Sequence, residues 1–195
     1  MNAICSWNIR GIRKLEKKRA LKQCILKNKP KMLFVQETKV EELSKGEVKN
    51  LWHGTQFEFS LSPAVRSAGG LLSVWDSNWI NVSDIVVKQR FIAVFGFLSS
   101  EGEEFGFVNV YGASVDSEKP AYIEELLAFL KSRRVIWVVG GDFNLFLDTD
   151  EKMGLTVNYN LISLFRDFIS EAGLVDIQLI GGNIHGETIE TPRRS

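Results

Sequence analysis

At 195 residues the chain is long enough to bury roughly 70% of its unfolded surface as one domain, and 45% hydrophobic with 25% charged residues excludes a disordered or fibrous protein. Formal charge sums to zero, yet residues 1–40 hold eleven Lys or Arg against only Glu16 and Glu37, so the remaining 155 residues are correspondingly acidic. Apolar runs reach five residues (Val135–Val139), against the ~20 needed to span a bilayer; Cys5 and Cys24 are too few for a disulfide framework, and with no leader-like stretch an intracellular compartment without a membrane partner is expected.

In chain order, Ala3–Asn8 alternates and stops at Gly11, a first strand ending in Asn8. A helix follows up to Pro30, with Leu15, Leu21, Cys24 and Ile25 as its apolar stripe and Lys14, Lys17, Lys18, Arg19 and Lys22 opposite. Those lysines fit a basic face for nucleic acid or, equally, a solvated helix face. Met32–Val35 reads as a second strand delivering Gln36-Glu37-Thr38-Lys39, residues 40–50 as helix or loop, and Phe57–Leu61 as a half-buried strand. After a turn at Pro63–Gly70 come strands at Leu71–Trp75, Ile80–Val87, Phe91–Leu98 and Phe105–Tyr111, the last three a meander, and the third ending Asn109-Val110-Tyr111-Gly112.

The spacing of Ile123, Leu126, Leu127 and Leu130 predicts a helix over Ser117–Lys131, with Ser117 as cap and Pro120 in the first turn. Val135–Val139 is a strand buried on both faces that leads through two glycines to Asp142 and Asn144. In an extended chain residues i and i+2 point the same way, so both polar tips face one spot; an Asx turn is the other reading of Gly-Asp-Phe-Asn. Asn158 caps a last helix with Leu161, Leu164, Phe165 and Phe168 inward and Gly173 at its end, before a short strand at Leu174–Gln178.

Four strands therefore finish in polar groups: Asn8-Ile9-Arg10-Gly11, Gln36-Glu37-Thr38-Lys39, Asn109-Val110-Tyr111-Gly112 and Gly141-Asp142-Phe143-Asn144. In this order they resemble the endonuclease/exonuclease/phosphatase superfamily, and within it the apurinic-like endonuclease domain of non-LTR (LINE-type) retrotransposons. Glu151-Lys152-Met153-Gly154 and Leu174-Val175-Asp176 look like its plant members.

The resemblance implies a four-layer α/β sandwich, two mostly antiparallel sheets face to face with helices outside, lacking its last strands. It implies that Asn8 and Glu37 hold Mg²⁺, or Mn²⁺ in its place, with Glu37 the direct ligand, hard oxygen suiting such ions. It further implies that Asp142 orients and deprotonates the attacking water, Asn144 holds a nonbridging phosphate oxygen, and Tyr111 supports the phosphate or nucleophile. The reaction is hydrolysis of a DNA phosphodiester, a nick that primes reverse transcription in the retrotransposon elements, with the nucleus as its place of action. A phosphatase of the same superfamily and a non-catalytic remnant binding metal or nucleic acid are the alternatives.

The resemblance runs from about residue 3 to about residue 182, within one domain over residues 1–182. Residues 183–195 form a divergent tail, in which the family's aromatic strand and Asp-His pair are not found. Neither His185, after Ile184, nor His53, in a polar loop, takes the place of the catalytic His. Slow or absent cleavage is expected on that account.

Overall fold

A computed structural model describes residues 4–66, 68–99, 101–147 and 158–177, and the backbone of 187–190. The loop Asp148–Gly154 and His185, read above from the sequence, lie outside the described residues. Strands β1 (Ile4–Asn8) and β2 (Met32–Gln36) run parallel, joined by helix α1 (Leu15–Asn28) as crossover. Strand β4 (Leu71–Trp75) is antiparallel to β2, and β3 (Glu58–Ser62) to β4, giving a first sheet ordered β1-β2-β4-β3. Helix α2 (Lys45–Leu51) sits between β2 and β3 in the chain and starts on a capping box, Ser44 with Glu47.

The meander β5 (Ile80–Val87), β6 (Phe91–Leu98) and β7 (Glu104–Tyr111) forms as expected. Strand β8 (Ile136–Asp142) is parallel to β7 through helix α3 (Lys119–Lys131). Helix α4 (Tyr159–Glu171) and strand β9 (Val175–Ile177) follow, and β10 (Glu187–Glu190) lies antiparallel to both β8 and β9, so the second sheet runs β5-β6-β7-β8-β10-β9. Part of the stretch read as a divergent tail thus joins the sheet through its backbone.

Strand alternation divides the interior into three cores. Between the sheets lie Met32, Phe34, Leu71, Ile92, Phe107 and Val138. Leu33, Val35, Leu72 and Val74 point the other way, onto Leu21 and Ile25 of α1 and Val48 of α2. Ala93, Phe95, Val108 and Val139 meet Ile123 and Leu126 of α3 and Phe165 and Phe168 of α4. The outcome is helices, sheet, sheet, helices: the four-layer α/β sandwich with mostly antiparallel sheets.

Three local expectations are corrected. Leu15 does not join the stripe of α1 and stays 59% exposed, because it opens the helix before the first turn meets the sheet. Ser117 does not cap α3: a 3-10 turn over Asp116–Glu118 precedes the helix, fixed by Glu118 N–H donating to Val115 O (3.0 Å) and by the Asp116–Lys119 ion pair (2.7 Å). Asn158 holds the N-cap position of α4 without a side-chain cap bond, and Ile162 is buried where Leu161 and Leu164 are only half-buried.

Along the inter-sheet faces the side chains change character toward one end. Strand β1 presents Ile4, Ser6 and Asn8 in turn; β2 Met32, Phe34 and Gln36; β7 Phe105, Phe107, Asn109 and Tyr111; β8 Ile136, Val138, Gly140 and Asp142. The two parallel pairs are in register, Asn8 beside Gln36 and Tyr111 beside Asp142, so their C-terminal ends open at one edge. That edge is polar.

Candidate active site at the strand ends

Asn8, the last residue of β1, donates from Nδ2 to Glu37 Oε1 (3.1 Å) and to Asp142 Oδ2 (2.5 Å). One carboxamide therefore joins a carboxylate of the first sheet to one of the second. Its Oδ1 accepts from Arg10 N–H (3.2 Å), an Asx turn that takes the chain off the strand. Glu37 follows β2 in the left-handed region at φ 51°, a conformation a β-carbon resists. Its neighbours hold it there: Gly11 N–H donates to Glu37 O (2.7 Å), while Thr38 and Lys39 donate to Gly70 O (3.1 Å) and Gly69 O (2.9 Å). The Glu37 side chain is 18% exposed, and Lys39 Nζ is 3.8 Å from its Oε2.

Tyr111 ends β7, its N–H on Arg90 O (2.8 Å). Burial, the charge of Glu37, a hydrogen bond to the Glu37 carboxylate and the charge of Asp142 together push its hydroxyl up to about 12. At neutral pH it is thus a proton-bearing donor. Asp142 and Asn144 meet by a different geometry from the one expected: β8 stops at Asp142, Asn144 takes φ 52°, and Asn144 N–H donates to Asp142 Oδ1 (3.1 Å). An Asx turn, not an extended i, i+2 pair, sets them side by side. Asn144 Nδ2 donates to Gly112 O (3.0 Å), beside Tyr111.

The turn depends on two glycines. A β-carbon on Gly141, at φ 142°, would lie 2.0 Å from Val110 O, and one on Gly112 would lie 2.1 Å from Phe143 O. Tyr122 of α3 donates to Phe143 O from beneath (2.6 Å), and burial, then the charge of Asp142, keeps its hydroxyl protonated far above the ordinary range.

All five residues read from the sequence, Asn8, Glu37, Tyr111, Asp142 and Asn144, sit around this one edge. His53 does not: its Nε2 meets Pro30 O (2.8 Å) before β2, at the opposite end of that strand from Glu37. Sequence reasoning missed what lies immediately below. Asn109, fully buried, receives Gln36 Nε2 (2.7 Å) and donates to Leu72 O (3.1 Å) and Ser73 Oγ (3.2 Å); Gln36 also donates to Ser6 Oγ (3.1 Å). This polar bridge between sheets fixes their relative position one or two residues from Asn8, Glu37 and Tyr111. Its signal was present: Asn109 stands on the inward face behind Phe105 and Phe107, where an unpaired amide would be costly.

Among the described residues no group of three or more His, Cys, Asp or Glu gathers as a ligand cage. Two carboxylates, Glu37 and Asp142, instead converge on the Asn8 amide nitrogen, and their oxygens are hard donors. Such a set fits Mg²⁺, which binds through one or two carboxylates and keeps several waters.

The same architecture is found among solved structures. An AP endonuclease from Archaeoglobus fulgidus superposes with a TM-score of 0.72 at 18% identity, over 98% of this chain and 87% of that one. The endonuclease domain of TRAS1, a telomere-specific non-LTR retrotransposon, gives 0.65 at 14%, over 94% and 82%. AP endonuclease LMAP from Leishmania major gives 0.64 at 18%, over 88% of this chain; the chain spans 66% of that enzyme. A sequence search of curated proteins finds no match. These likenesses carry the fold; the sequence itself matches, over residues 5–188 and so through all four strand-end motifs, the model of the Endonuclease/Exonuclease/phosphatase family, to which this chain belongs.

Proposed function

We propose that the chain is a Mg²⁺-dependent endonuclease that hydrolyses DNA phosphodiesters, of the apurinic-like kind with which non-LTR retrotransposons, plant LINE-type elements among them, nick their targets. One observation carries this reading: Asn8 bridges Glu37 and Asp142 across the two sheets, with the protonated Tyr111 hydroxyl against the same carboxylates. The neighbours named above, two AP endonucleases and a retrotransposon endonuclease, support DNA as the substrate class.

Glu37, with Asn8 beside it, would hold Mg²⁺, and the bound ion would supply charge neutralisation at the phosphate and leaving oxygen. Asp142, held by Asn8 and by Asn144 N–H, takes the proton of the water whose oxygen attacks phosphorus as the bond to the leaving oxygen breaks. Tyr111 donates to a phosphate oxygen, and Asn144 has a second Nδ2 hydrogen for a nonbridging one. The basic residues near the chain start, Arg10 and Arg13 following Asn8, supply a cationic approach for the backbone of the duplex. A chromosomal target places the activity in the nucleus.

The test is relaxation of supercoiled plasmid by the 195-residue chain in Mg²⁺, in Mn²⁺ and in EDTA, beside Asp142→Ala. Nicking that needs the ion and falls about 10²- to 10³-fold in the variant is expected. Nicking that survives either EDTA or Asp142→Ala sinks the proposal. Metal binding without cleavage of any DNA would favour the non-catalytic remnant.

A further inference from the structure

The segment Ile9–Ile12, which leaves β1 directly after Asn8, has all four of its backbone donors and two of its acceptors hydrogen-bonded. Its donors turn to the Glu37 segment and to Asn8: Ile9 N–H to Gln36 O (3.0 Å), Arg10 N–H to Asn8 Oδ1 (3.2 Å), Gly11 N–H to Glu37 O (2.7 Å) and Ile12 N–H to Thr38 O (2.9 Å). Two of its acceptors turn to a single side chain. Lys17 Nζ donates to Ile9 O and to Arg10 O, each at 2.7 Å.

These bonds form around a backbone that is hard to hold, with Arg10 at φ 50° and Gly11 at φ 104°. Facing carbonyls repel, and an ammonium between them removes that repulsion while supplying charge-assisted bonds. The lysines of α1 read from the sequence as a basic face for nucleic acid or, equally, a solvated face; Lys17 departs from both, half-buried and bonded to the loop.

Resting on the nuclease reading for its consequence in catalysis, we infer that Lys17 is a positioning residue whose ammonium clamps the Ile9–Arg10 turn and thereby sets Asn8 against Glu37 and Asp142. Lys17 itself touches neither carboxylate; it acts through the loop. Loss of the clamp frees the two carbonyls, relaxes the Arg10 turn, and lets Asn8 withdraw its amide from both acids. The expected cost is that of an outer-shell partner, about 10- to 100-fold in metal affinity or activity.

Lys17→Met keeps the stem and removes the charge, and Lys17→Arg keeps charge and donors. Three quantities are measured on the full chain: amide hydrogen exchange at Gly11 and Ile12, Mg²⁺ and Mn²⁺ affinity by calorimetry, and plasmid nicking resolved into kcat and KM across a salt series. Expected for Lys17→Met are exchange at least about tenfold faster at those two amides with core amides unchanged, 10- to 100-fold weaker metal binding, and a fall in kcat with KM for DNA within about twofold. Lys17→Arg is expected to restore all three. Unchanged exchange at Gly11 overturns the clamp. So does a loss confined to DNA affinity with a salt slope reduced by about one, the mark of a phosphate contact. Should Lys17→Met not fold, Lys17→Gln goes through the same exchange measurement, with an intermediate rate expected and an unaltered one overturning the inference. If the parent chain neither binds metal nor nicks, the nuclease reading fails, while exchange still decides whether Lys17 holds the loop.

Discussion

Replacing Asn109 by Leu tests whether the polar bridge between the sheets holds the site together. The two side chains are similar in size, so the change deletes hydrogen bonds more than it opens a cavity. Four partners lose Asn109: Gln36 Nε2 keeps Ser6 Oγ (3.1 Å), Val35 O loses only a long contact (3.5 Å), and Ser73 Oγ and Leu72 O lose a buried bond each. Leu72 O belongs to a strand paired on both sides and suffers least. Counting Ser73 fully and Gln36 in part, at about 1–3 kcal/mol per unsatisfied buried group, the loss is about 2–4 kcal/mol. For a domain of this size that lowers Tm by roughly 5–15 °C. Thermal and urea unfolding followed by circular dichroism measure it, with a lower urea midpoint at constant slope expected. Metal affinity should fall as well, because Gln36 precedes Glu37 and Asn109 stands two residues before Tyr111. A Tm within 2 °C of the parent would refute the reasoning, showing that apolar contact between the sheets fixes their position without the bridge.

Tyr111, raised to about 12, should titrate late by absorbance at 295 nm, Tyr111→Phe identifying its share, and Glu37→Gln should shift it downward by removing a facing negative charge. The unfolded tyrosine ionises near pH 10, so the stabilisation is complete below that pH and is lost as pH climbs through about 12. At a partly exposed ring this is worth about 1 kcal/mol after solvent screening, read as a steeper alkaline fall in Tm than in Tyr111→Phe. Gly141→Ala forces a β-carbon to within 2.0 Å of Val110 O at φ 142°; a cost above about 2 kcal/mol and loss of Asp142-dependent nicking are expected, checked by urea unfolding and plasmid relaxation.

The architecture was legible because alternation in β5, β6 and β7 and the helical spacing in α3 are local signals that packing merely ratifies. The meeting of Asn8, Glu37, Tyr111, Asp142 and Asn144 at one edge was legible from polar groups ending apolar strands. Their geometry was not. Asp142 and Asn144 come together only because Asn144 leaves the strand into an Asx turn, which Gly-Asp-Phe-Asn allows but does not dictate. Asn109 looked like one more polar strand end; that it points between the sheets requires knowing that Phe105 and Phe107 face the other sheet and not the helices. Lys17 is chemically indistinguishable from Lys14 or Lys18 in sequence, and only the turn of α1 against the Ile9–Arg10 carbonyls separates it. Ser117 shows the reverse error, a good cap residue overruled by an ion pair one residue away.

The carboxamide of Asn8 reaches across two very different lengths of chain, 29 residues to Glu37 and 134 to Asp142. By loop-closure entropy the longer closure costs about 1.4 kcal/mol more than the shorter, and it also waits on synthesis and pairing of β3 through β8. The first contact belongs to an early, self-contained unit of β1, α1 and β2; the second can be made only when both sheets have docked. On the proposed nuclease function, cleavage competence is therefore the last property the chain would acquire as it folds. A species with native-like strands but unassembled layers would hold half a site and spare every duplex it met, so that plasmid nicking during refolding would serve as a clock for the final docking step.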